Sequence, residues 1–458
     1  KAMMVEPSDA EEARWMTREA FWLSERFDSP VLLRVTTRVC HQTARVDAQP
    51  REDFKGRGYR KDIAKYVLLP VNARQRRVAV EERLKAAEAF GNESDLWNPI
   101  IRKSDKVGVV TSGVSYGYVR EVMPDASILK IGLSFPIPIE RIRGFAKTVE
   151  KLYVVEELEP YLEDAIRAVG IEVHGGKDLR PFTGELDLAK VEQMLLGKRQ
   201  VTPTIDVSDV GIPARPPTLC PGGGHRGMFT LFREMKLRVM GDIGCYTLGA
   251  LKPLASMEAC MCMGASIGMA QGFARFNDDG RTIAVLGDST FFHSGIPSLI
   301  DMVVQRSRAT VVIVDNSWTA MTGAQPNPSS GVDAHGDPAP RFDVAGVCRA
   351  LGVKRVVEVD PYELEATRAV LEAEIAADEL SVVVAVKPCV LADKTPREQP
   401  MEVHTEDCNR CGACIRVGCM AMHEKGGLPE VDSALCTGCT VCLQMCETGA
   451  IHRAEVAH

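Results

Sequence analysis

The sequence predicts an α/β fold built from several parallel-sheet domains, with a small cysteine-rich module at its C-terminal end. Short apolar runs alternate with helical patterns along most of the chain, which is typical of parallel sheets covered by helices. The residues from 396 onward lack long periodic elements and contain eight of the fifteen cysteines. Because a chain of 458 residues exceeds one ordinary core, about three domains are expected.

The composition argues against nucleic acid and membrane as partners. Apolar residues make up 45% and charged residues 26% of the chain, as in soluble globular proteins. The net charge is −7, and without a basic stripe nucleic-acid binding is not expected. The most apolar long window, Ala255–Ala274, contains Glu258 and Gln271 and is interpreted as a buried helix rather than a membrane span. No signal-peptide pattern opens the chain and the cysteine spacing suggests metal rather than disulfides, so a cytoplasmic protein is predicted.

Residues 1–45 are predicted to be the end of an α/β domain whose front is missing. A helical pattern over residues 8–27 is followed by the apolar run Val31–Val35, which is interpreted as a buried strand. Residues 46–103 are charged and mostly helical in pattern, and are interpreted as a connector.

Residues 104–178 are predicted to form a second α/β domain. Its expected elements are the strands Val107–Gly113, Ser127–Ile131 and Lys151–Val155 and a helix from Leu158 to about Val169. Residues 179–213 lead into a Pro-rich stretch and are predicted to be a linker.

Residues 214–395 are predicted to form a third domain around a parallel sheet. The expected strands are Lys236–Met240, Thr282–Leu286, Thr310–Val314, Lys354–Val359 and Ser381–Val386. Helical patterns lie between these strands, so the sheet is expected to be covered on both faces.

Residues 396–458 carry a cysteine pattern that occurs twice. Three cysteines separated by two residues each can wrap one [4Fe–4S] cluster, and the fourth ligand comes from the other run. We therefore predict two sets of ligands: a first cysteine set of Cys408, Cys411, Cys414 and Cys446, and a second cysteine set of Cys419, Cys436, Cys439 and Cys442. The alternative is a pair of zinc knuckles, but zinc rarely uses three cysteines in such a run.

A second candidate metal site lies at the ends of two expected strands. Asp288 follows one strand and Asn316 follows the next, so both are expected at the carboxyl edge of the parallel sheet. Mg²⁺ prefers hard oxygen ligands, partly supplied by phosphates. Asp288, the Asn316 side chain and the backbone carbonyl of Trp318 would supply three ligands, a diphosphate two more and a water the sixth. Since Gly-Asp at a strand end is common, this pattern alone leaves an ordinary strand end open.

The same pattern resembles the signature of thiamine-diphosphate enzymes, although Ser289 stands in place of a glycine and Asp315 in place of an asparagine. Four further blocks, in the same order and spacing, resemble the large subunit of the indolepyruvate:ferredoxin oxidoreductases. These blocks are Cys220-Pro-Gly-Gly-Gly-His225-Arg226, Gly241-Asp-Ile-Gly-Cys245-Tyr-Thr-Leu-Gly249, Met261-Cys-Met-Gly-Ala-Ser-Ile-Gly268 and Trp318-Thr-Ala-Met-Thr-Gly323. With the paired cysteine sets, the resemblance covers the whole chain, and the family has a further N-terminal stretch.

The resemblance implies an activity: oxidative decarboxylation of an aryl 2-oxoacid to its acyl-coenzyme A, with one-electron reduction of ferredoxin. It implies thiamine diphosphate, Mg²⁺ and two [4Fe–4S] clusters as cofactors, and a smaller partner subunit in a hetero-oligomer. Residues 1–45 would end a pyrimidine-binding domain, and residues 104–178 would match the transketolase C-terminal domain. By resemblance, the magnesium ligands are Asp288, Asn316 and Trp318, and the other cofactor-binding residues are Gly244, Cys245, Gly287, Ser289 and Gly323. His225 would line the thiamine pocket and steady a developing negative charge, a role for which a buried structural imidazole is the alternative.

Three departures from the family pattern carry their own expectations. Gly223 replaces a cysteine of the family's Cys-Pro-Gly-Cys motif, so with only Cys220 and Cys245 in matching positions a third cluster near thiamine is not expected. The segment Ala324–Asn327 lacks the family's usual histidine, which leaves the choice of substrate open. The glutamate that activates thiamine belongs to the missing front, and the glutamates placed on the first helix receive no role: Glu6, Glu11, Glu12, Glu19 and Glu25.

Two other functions remain open at this point. A non-oxidative 2-oxoacid decarboxylase would use the same strand-end site, but would have no need of iron–sulfur clusters. A non-catalytic electron-transfer subunit would need only the cysteine sets, and the missing front is compatible with it.

Overall fold

The computed structural model describes residues 1–51, 56, 58–175, 183–197, 209–211, 216–276, 282–395 and 397–454. These residues form two compact units, Lys1–Gly211 and Ile212–His458. None of the helices in the described ranges combines the length and the hydropathy needed to cross a membrane.

The first unit contains two small sheets. Its strands are β1 Met3–Val5, β2 Val31–Leu33, β3 Ile100–Ile101, β4 Val107–Ser112, β5 Ser127–Ile131, β6 Leu133–Phe135 and β7 Lys151–Val155. Its helices are α1 Ala10–Phe27, α2 Thr37–His41, α3 Ile63–Tyr66, α4 Pro70–Glu93, α5 Ser115–Val122, α6 Ile139–Ala146, α7 Tyr161–Ala168 and α8 Leu188–Leu196. One sheet has the order β2-β1-β6 and the other the order β3-β5-β4-β7, with parallel pairing of β4 to both β5 and β7.

Two expectations for residues 1–45 were wrong. The run Val31–Val35 is a strand only over Val31–Leu33, and Leu32 and Leu33 are exposed, because the strand lies at the edge of its sheet. Glu6 is not on the first helix but follows the unpredicted strand β1. It is buried there, where it forms an ion pair with Arg34 at 2.9 Å and accepts a hydrogen bond from Ser134.

The predicted linker of residues 179–213 contains a helix that the sequence analysis did not anticipate. Helix α8 buries Val191, Met194 and Leu195 in the apolar cluster that covers one face of the β4 sheet. Residues 179–182, 198–208 and 212–213 of that prediction lie outside the described residues.

The second unit is built around a six-stranded sheet. Its strands are β8 Arg238–Gly241, β9 Ala259–Cys260, β10 Thr282–Gly287, β11 Thr310–Asp315, β12 Arg355–Val359 and β13 Ser381–Val386, and four short strands follow, β14 Met401–Val403, β15 Met422–Lys425, β16 Leu428–Val431 and β17 Ile451–Arg453. Its helices are α9 Gly224–Glu234, α10 Ala265–Phe276, α11 Asp288–Thr290, α12 Ile296–Val304, α13 Val344–Ala350, α14 Leu364–Ile375, α15 Ala413–Arg416 and α16 Val441–Gln444. Short turns of other helical types lie at Cys245–Ala250, Phe291–Gly295 and Ala320–Thr322.

The order of the large sheet is β12-β13-β11-β10-β8-β9, and every pair in it is parallel. Alternate residues of β10 enter two different apolar clusters: Ile283 and Val285 face one, and Ala284 and Leu286 face the other. Both faces are therefore covered, as the continuous apolar runs predicted. The fold is thus α/β with parallel sheets.

The sequence predicted one buried helix over Ala255–Ala274, and this prediction was wrong. This window contains the short strand β9 and a turn in which Gly264 has φ +92°, and helix α10 begins only at Ala265. A left-handed backbone at Gly264 interrupts any helix there. The window is therefore not a continuous helix, and two of its methionines, Met261 and Met263, are exposed.

Helix α9 packs tightly on the loop that follows β12. A Cβ atom added at Gly227 would lie 2.0 Å from the backbone oxygen of Pro361. We expect Gly227→Ala to lower the free energy of unfolding by about 1–3 kcal/mol, because backbone must move to relieve the overlap. The matched control is Gly272→Ala on α10, where an added Cβ has no atom within 4 Å. Urea unfolding of the apo chain measures both, and an unchanged midpoint for Gly227→Ala would contradict the packing.

Candidate functional site

The carboxyl edge of the large sheet brings the two predicted magnesium ligands together. Asp288 follows β10 and Asn316 follows β11, and the two strands pair in parallel up to Gly287 and Val314. The backbone N–H groups of Ser289 and Asn316 lie near the Asp288 carboxylate and act to lower its pKa. We call Asp288, Asp315 and Asn316 the edge site.

The edge site contains two buried carboxylates side by side. Asp288 is only 2% exposed and Asp315 only 6%, and the two are close enough for the charge of one to affect the other. Burial, followed by the charge of Asp315, raises the pKa of Asp288 to about 7. Burial also raises the pKa of Asp315. Because a nearby cation would offset both effects, this pair of oxygen donors fits a divalent metal such as Mg²⁺.

A tight turn after β11 shapes the other half of the edge site. The Asn316 side-chain oxygen accepts the N–H of Trp318 at 3.0 Å, and Asp315 accepts the N–H of Ser317 at 2.9 Å. Ser317 has φ +63°, and the Ser330 hydroxyl donates to its carbonyl at 2.6 Å. These bonds turn the chain sharply after β11. Trp318, two residues after Asn316, therefore stays beside the same edge.

Asn327 was missed by the sequence analysis. Its side-chain amide donates to the Asp288 carboxylate at 2.8 Å, and it lies in the segment Ala324–Asn327 that departs from the family pattern. That departure was a signal, although it had been connected with substrate and not with Asp288.

His225 approaches the edge site from helix α9. Its Nε2 lies 3.5 Å from the side-chain nitrogen of Asn316, and its ring meets Tyr246 edge-on at 5.9 Å between centroids. Burial lowers the pKa of His225 to about 4, so the imidazole is neutral near pH 7. A neutral imidazole can donate one hydrogen bond without introducing a charge.

The turn after β8 holds Gly244 and Cys245. The Gly244 N–H donates to the Thr247 hydroxyl at 2.9 Å, and the Tyr246 ring packs against both Gly244 and Gly287. A Cβ at Gly287 would lie 2.9 Å from the Tyr246 ring. Glycine at the strand end is thus required by the close approach of this ring.

Ser289 directly follows Asp288, and Gly323 lies in the loop after β11. The Thr319 hydroxyl donates to the Ser289 hydroxyl at 2.8 Å, which links the ends of β10 and β11. Gly323 ends the turn Ala320–Thr322 with φ +120° and is exposed. The left-handed backbone conformation by itself accounts for a glycine at this position, so no bound ligand is needed to explain it.

Cys389 lies near Cys220 and Cys245, the two cysteines that match family positions. The thiols of Cys220, Cys245 and Cys389 lie close enough to influence one another electrostatically, and burial raises the pKa of Cys220 and of Cys245. Cys389 follows β13, so the same rule that placed Asp288 and Asn316 at the carboxyl edge would have found it. The count of two cysteines made from the sequence was therefore incomplete.

The second cysteine set lines one cavity. Cys419, Cys436, Cys439 and Cys442 surround a space of about 20 Å³, together with Arg226 and Thr437. Two polar atoms of this lining, Arg226 Nε and Thr437 Oγ1, are buried and have no hydrogen-bond partner among the residues that the structure describes. Cluster sulfurs accept hydrogen bonds, so the ring of thiols and the orphaned donors fit an iron–sulfur cluster.

The first cysteine set is more open. Cys414 is buried and lies near Cys408 and Cys446, whereas Cys411 is exposed. Cys414 lies on α15 and Cys442 on α16, and the other six cysteines lie in the loops between the short elements of this region.

The sulfurs are too widely spaced for zinc knuckles. Thiolates around one zinc ion would lie about 3.8 Å apart, given a Zn–S distance of about 2.3 Å in a tetrahedron. Within the described part of the chain, the group of three metal-binding side chains whose ligand atoms lie within 4.8 Å of one another is His404, Asp407 and His452, and no three cysteines meet that limit.

Residues 242–385 match the family model of the thiamine pyrophosphate enzyme C-terminal TPP-binding domain. The chain is 36% identical to indolepyruvate oxidoreductase subunit IorA of Methanothermobacter thermautotrophicus, over 98% of this chain and 76% of that protein. It is 33% identical to subunit IorA of Archaeoglobus fulgidus, over 99% of this chain and 77% of that protein.

A looser structural likeness is to 2-oxoglutarate:ferredoxin oxidoreductase from Magnetococcus marinus, with a TM-score of 0.35 and 20% identity. It covers 40% of this chain and 68% of that one, and a score this low supports no conclusion about function. The sequence relatives and the thiamine-binding domain, in contrast, identify the family. The chain belongs to the indolepyruvate oxidoreductase subunit IorA family, within the thiamine-diphosphate-dependent 2-oxoacid:ferredoxin oxidoreductases.

Proposed function

We propose that this chain is the large subunit of an enzyme that oxidatively decarboxylates an aryl 2-oxoacid. The acyl group passes to coenzyme A and two electrons pass singly to ferredoxin. One observation carries the proposal. Helix α9 presents His225 to the edge site and the next residue, Arg226, to the cavity of the second cysteine set. A site suited to a diphosphate and a site suited to a redox cluster therefore share one helix within one compact unit.

Asp288, the Asn316 side chain and the Trp318 carbonyl are proposed to hold Mg²⁺, which ties the diphosphate of the cofactor to the sheet edge. Gly287 and Ser289 lie at the diphosphate, and Gly244, Cys245 and Gly323 are proposed to complete the cofactor site. Bound thiamine diphosphate supplies the carbon nucleophile and the electron sink that decarboxylation requires.

His225 is proposed to donate a hydrogen bond to negative charge that develops on the substrate. Its burial keeps the imidazole neutral near pH 7, and the Tyr246 ring packed edge-on restricts its rotation. A fixed donor in a buried site stabilises such charge with little reorganisation.

The two cysteine sets are proposed to hold [4Fe–4S] clusters that work in series. The cavity of the second set is lined by Arg226, which directly follows His225, and by Pro221 and Gly222, which lie four and three residues before it. The first set contains the exposed Cys411. Electrons would therefore enter at the second set and leave from the first set to ferredoxin.

A smaller subunit is proposed to complete the enzyme as a hetero-oligomer. We further propose that residues 1–45 end a pyrimidine-binding domain and that residues 46–103 are its helical connector. Residues 104–178 would correspond to the transketolase C-terminal domain, 179–213 to a linker, 214–395 to the thiamine-binding domain and 396–458 to the ferredoxin-like module. The glutamate that activates thiamine is assigned to none of the residues of this sequence.

The test is 2-oxoacid oxidation by the anaerobically purified complex with its smaller subunit. Indolepyruvate, phenylpyruvate and pyruvate are each supplied with coenzyme A, and reduction of ferredoxin or viologen is followed. We expect reduction with the two aryl acids at a kcat/KM at least about tenfold above that with pyruvate, the discrimination that a fitted apolar pocket provides. Carbon dioxide release without reduction would indicate a non-oxidative decarboxylase. No turnover of any acid by an iron-loaded complex would indicate a non-catalytic electron-transfer subunit.

A further inference from the structure

Arg226 places a positive charge in the interior of the second unit. It is only 2% exposed, yet its guanidinium bonds to neutral backbone carbonyls. It donates to Val417 at 3.0 Å, to Gly418 at 2.5 Å and to Cys220 at 3.5 Å, and also to Leu219. Across the described ranges, no carboxylate forms an ion pair with it.

A buried guanidinium without an anion is costly, because carbonyl dipoles replace only part of the lost hydration. Arginine cannot avoid this cost by releasing its proton at ordinary pH. The side chains that interact with it electrostatically are the thiol groups of Cys419, Cys439 and Cys220. Two of these three belong to the second cysteine set.

The cavity of that set shows where the missing anion belongs. Arg226 lines the cavity, and its Nε is a buried donor without an acceptor. Thr437, between two cysteines of the set, lines the same cavity with an equally unpartnered hydroxyl. Two orphaned donors and four thiols facing one space require an acceptor of net negative charge.

We propose that Arg226 and Thr437 raise the reduction potential of the cluster held by the second cysteine set, with Arg226 as the main positioning residue. The inference rests on the proposed function, because it assumes that this set holds a cluster. Reduction brings one electron into the cluster and adds one negative charge, while Arg226 keeps its protons and forms no bond. A fixed cation stabilises the reduced cluster more than the oxidised one, and a donor to sulfur acts in the same direction. The cluster beside the thiamine site thereby becomes a better electron acceptor.

The experiment is a redox titration of both clusters in the anaerobic holoenzyme, followed by electron paramagnetic resonance. The signal of the second set is identified as the one lost in Cys439→Ala. In Arg226→Gln we expect the equilibrium constant for reducing that cluster to fall at least about tenfold, which is about 59 mV for one electron. The other cluster is expected to stay within about twofold, because no cysteine of the first set lines the cavity that Arg226 faces.

Arg233→Gln is the matched control. Arg233 lies on the same helix and donates to the carbonyl of Arg416, but it does not line the cavity. Both potentials are expected to remain within about twofold of the wild type in this variant.

Two further variants test the inference if the Arg226→Gln protein does not assemble with its clusters. Arg226→Lys keeps the charge and is expected to keep most of the potential. Thr437→Val removes a hydroxyl that has no protein partner, and is expected to lower the constant for the same cluster about threefold, as one lost hydrogen bond to sulfur would. Unchanged potentials in Arg226→Gln with its full iron content would overturn the inference and leave the proposed function standing. If Arg226→Gln does not assemble, unchanged potentials in Thr437→Val with its full iron content would have the same consequence. A wild-type protein without iron and sulfide would overturn both.

Discussion

An Asp288→Asn variant is expected to lose 2-oxoacid oxidation and to bind thiamine diphosphate with Mg²⁺ more than about 100-fold more weakly. Loss of groups that merely support metal ligands costs about 10–100-fold in affinity, and a direct ligand should cost more. The substitution keeps the shape of the side chain and leaves an oxygen to accept the Asn327 amide. It removes the buried charge that faces Asp315, so the unfolding midpoint of the apo chain should not fall.

Titration calorimetry of thiamine diphosphate in magnesium buffer measures this loss directly. Asp301→Asn is the matched control, because Asp301 is an exposed carboxylate of the same domain that accepts hydrogen bonds from Gln271 and Gln305, away from the edge site. Retained affinity and turnover in Asp288→Asn would remove the edge site as the place where the cofactor binds.

A Cys439→Ala variant is expected to lose one cluster and, with it, the transfer of electrons to ferredoxin. Iron should fall from about eight to about four atoms per chain, since a cubane cluster needs its four thiolates. Thiamine diphosphate affinity should stay the same, because Cys439 lies in the cavity of the second cysteine set and not at the edge site. The two cofactor sites can therefore be separated by mutation.

Elemental analysis and viologen reduction provide the readout, and Cys40→Ala is the control. Cys40 is an exposed thiol of the first unit, outside both cysteine sets. Zinc in place of iron in the wild type, or full iron in Cys439→Ala, would contradict the assignment of the ligands.

The buried parallel strands were predictable from the local order of apolar and polar residues along the chain. Thr310–Val314 and Ser381–Val386 were located to within one residue, because strands covered on both faces are continuous apolar runs bounded by polar residues. The same reasoning failed for Val31–Val35 and for Ala255–Ala274. An apolar run does not reveal whether it lies at a sheet edge or whether a left-handed glycine such as Gly264 interrupts it.

The edge site could be predicted in part for a related reason. Asp288 and Asn316 each follow a strand, and parallel strands bring their carboxyl ends to one edge, so the juxtaposition followed from the order of elements. Asn327 was not predicted, because it reaches Asp288 from a loop whose path no local pattern specifies.

Local pattern in the sequence determined the α/β class, the strand-end acids and the spacing that groups the cysteines, since each depends on neighbours within a few positions. Tertiary structure alone decided that Arg226 lies at the second cysteine set, 193 positions before Cys419. It also decided that Cys389 joins Cys220 and Cys245. Contacts between residues so far apart arise only when helices and loops pack on the finished sheet, because burial selects them through shape and charge and not through any periodicity along the chain.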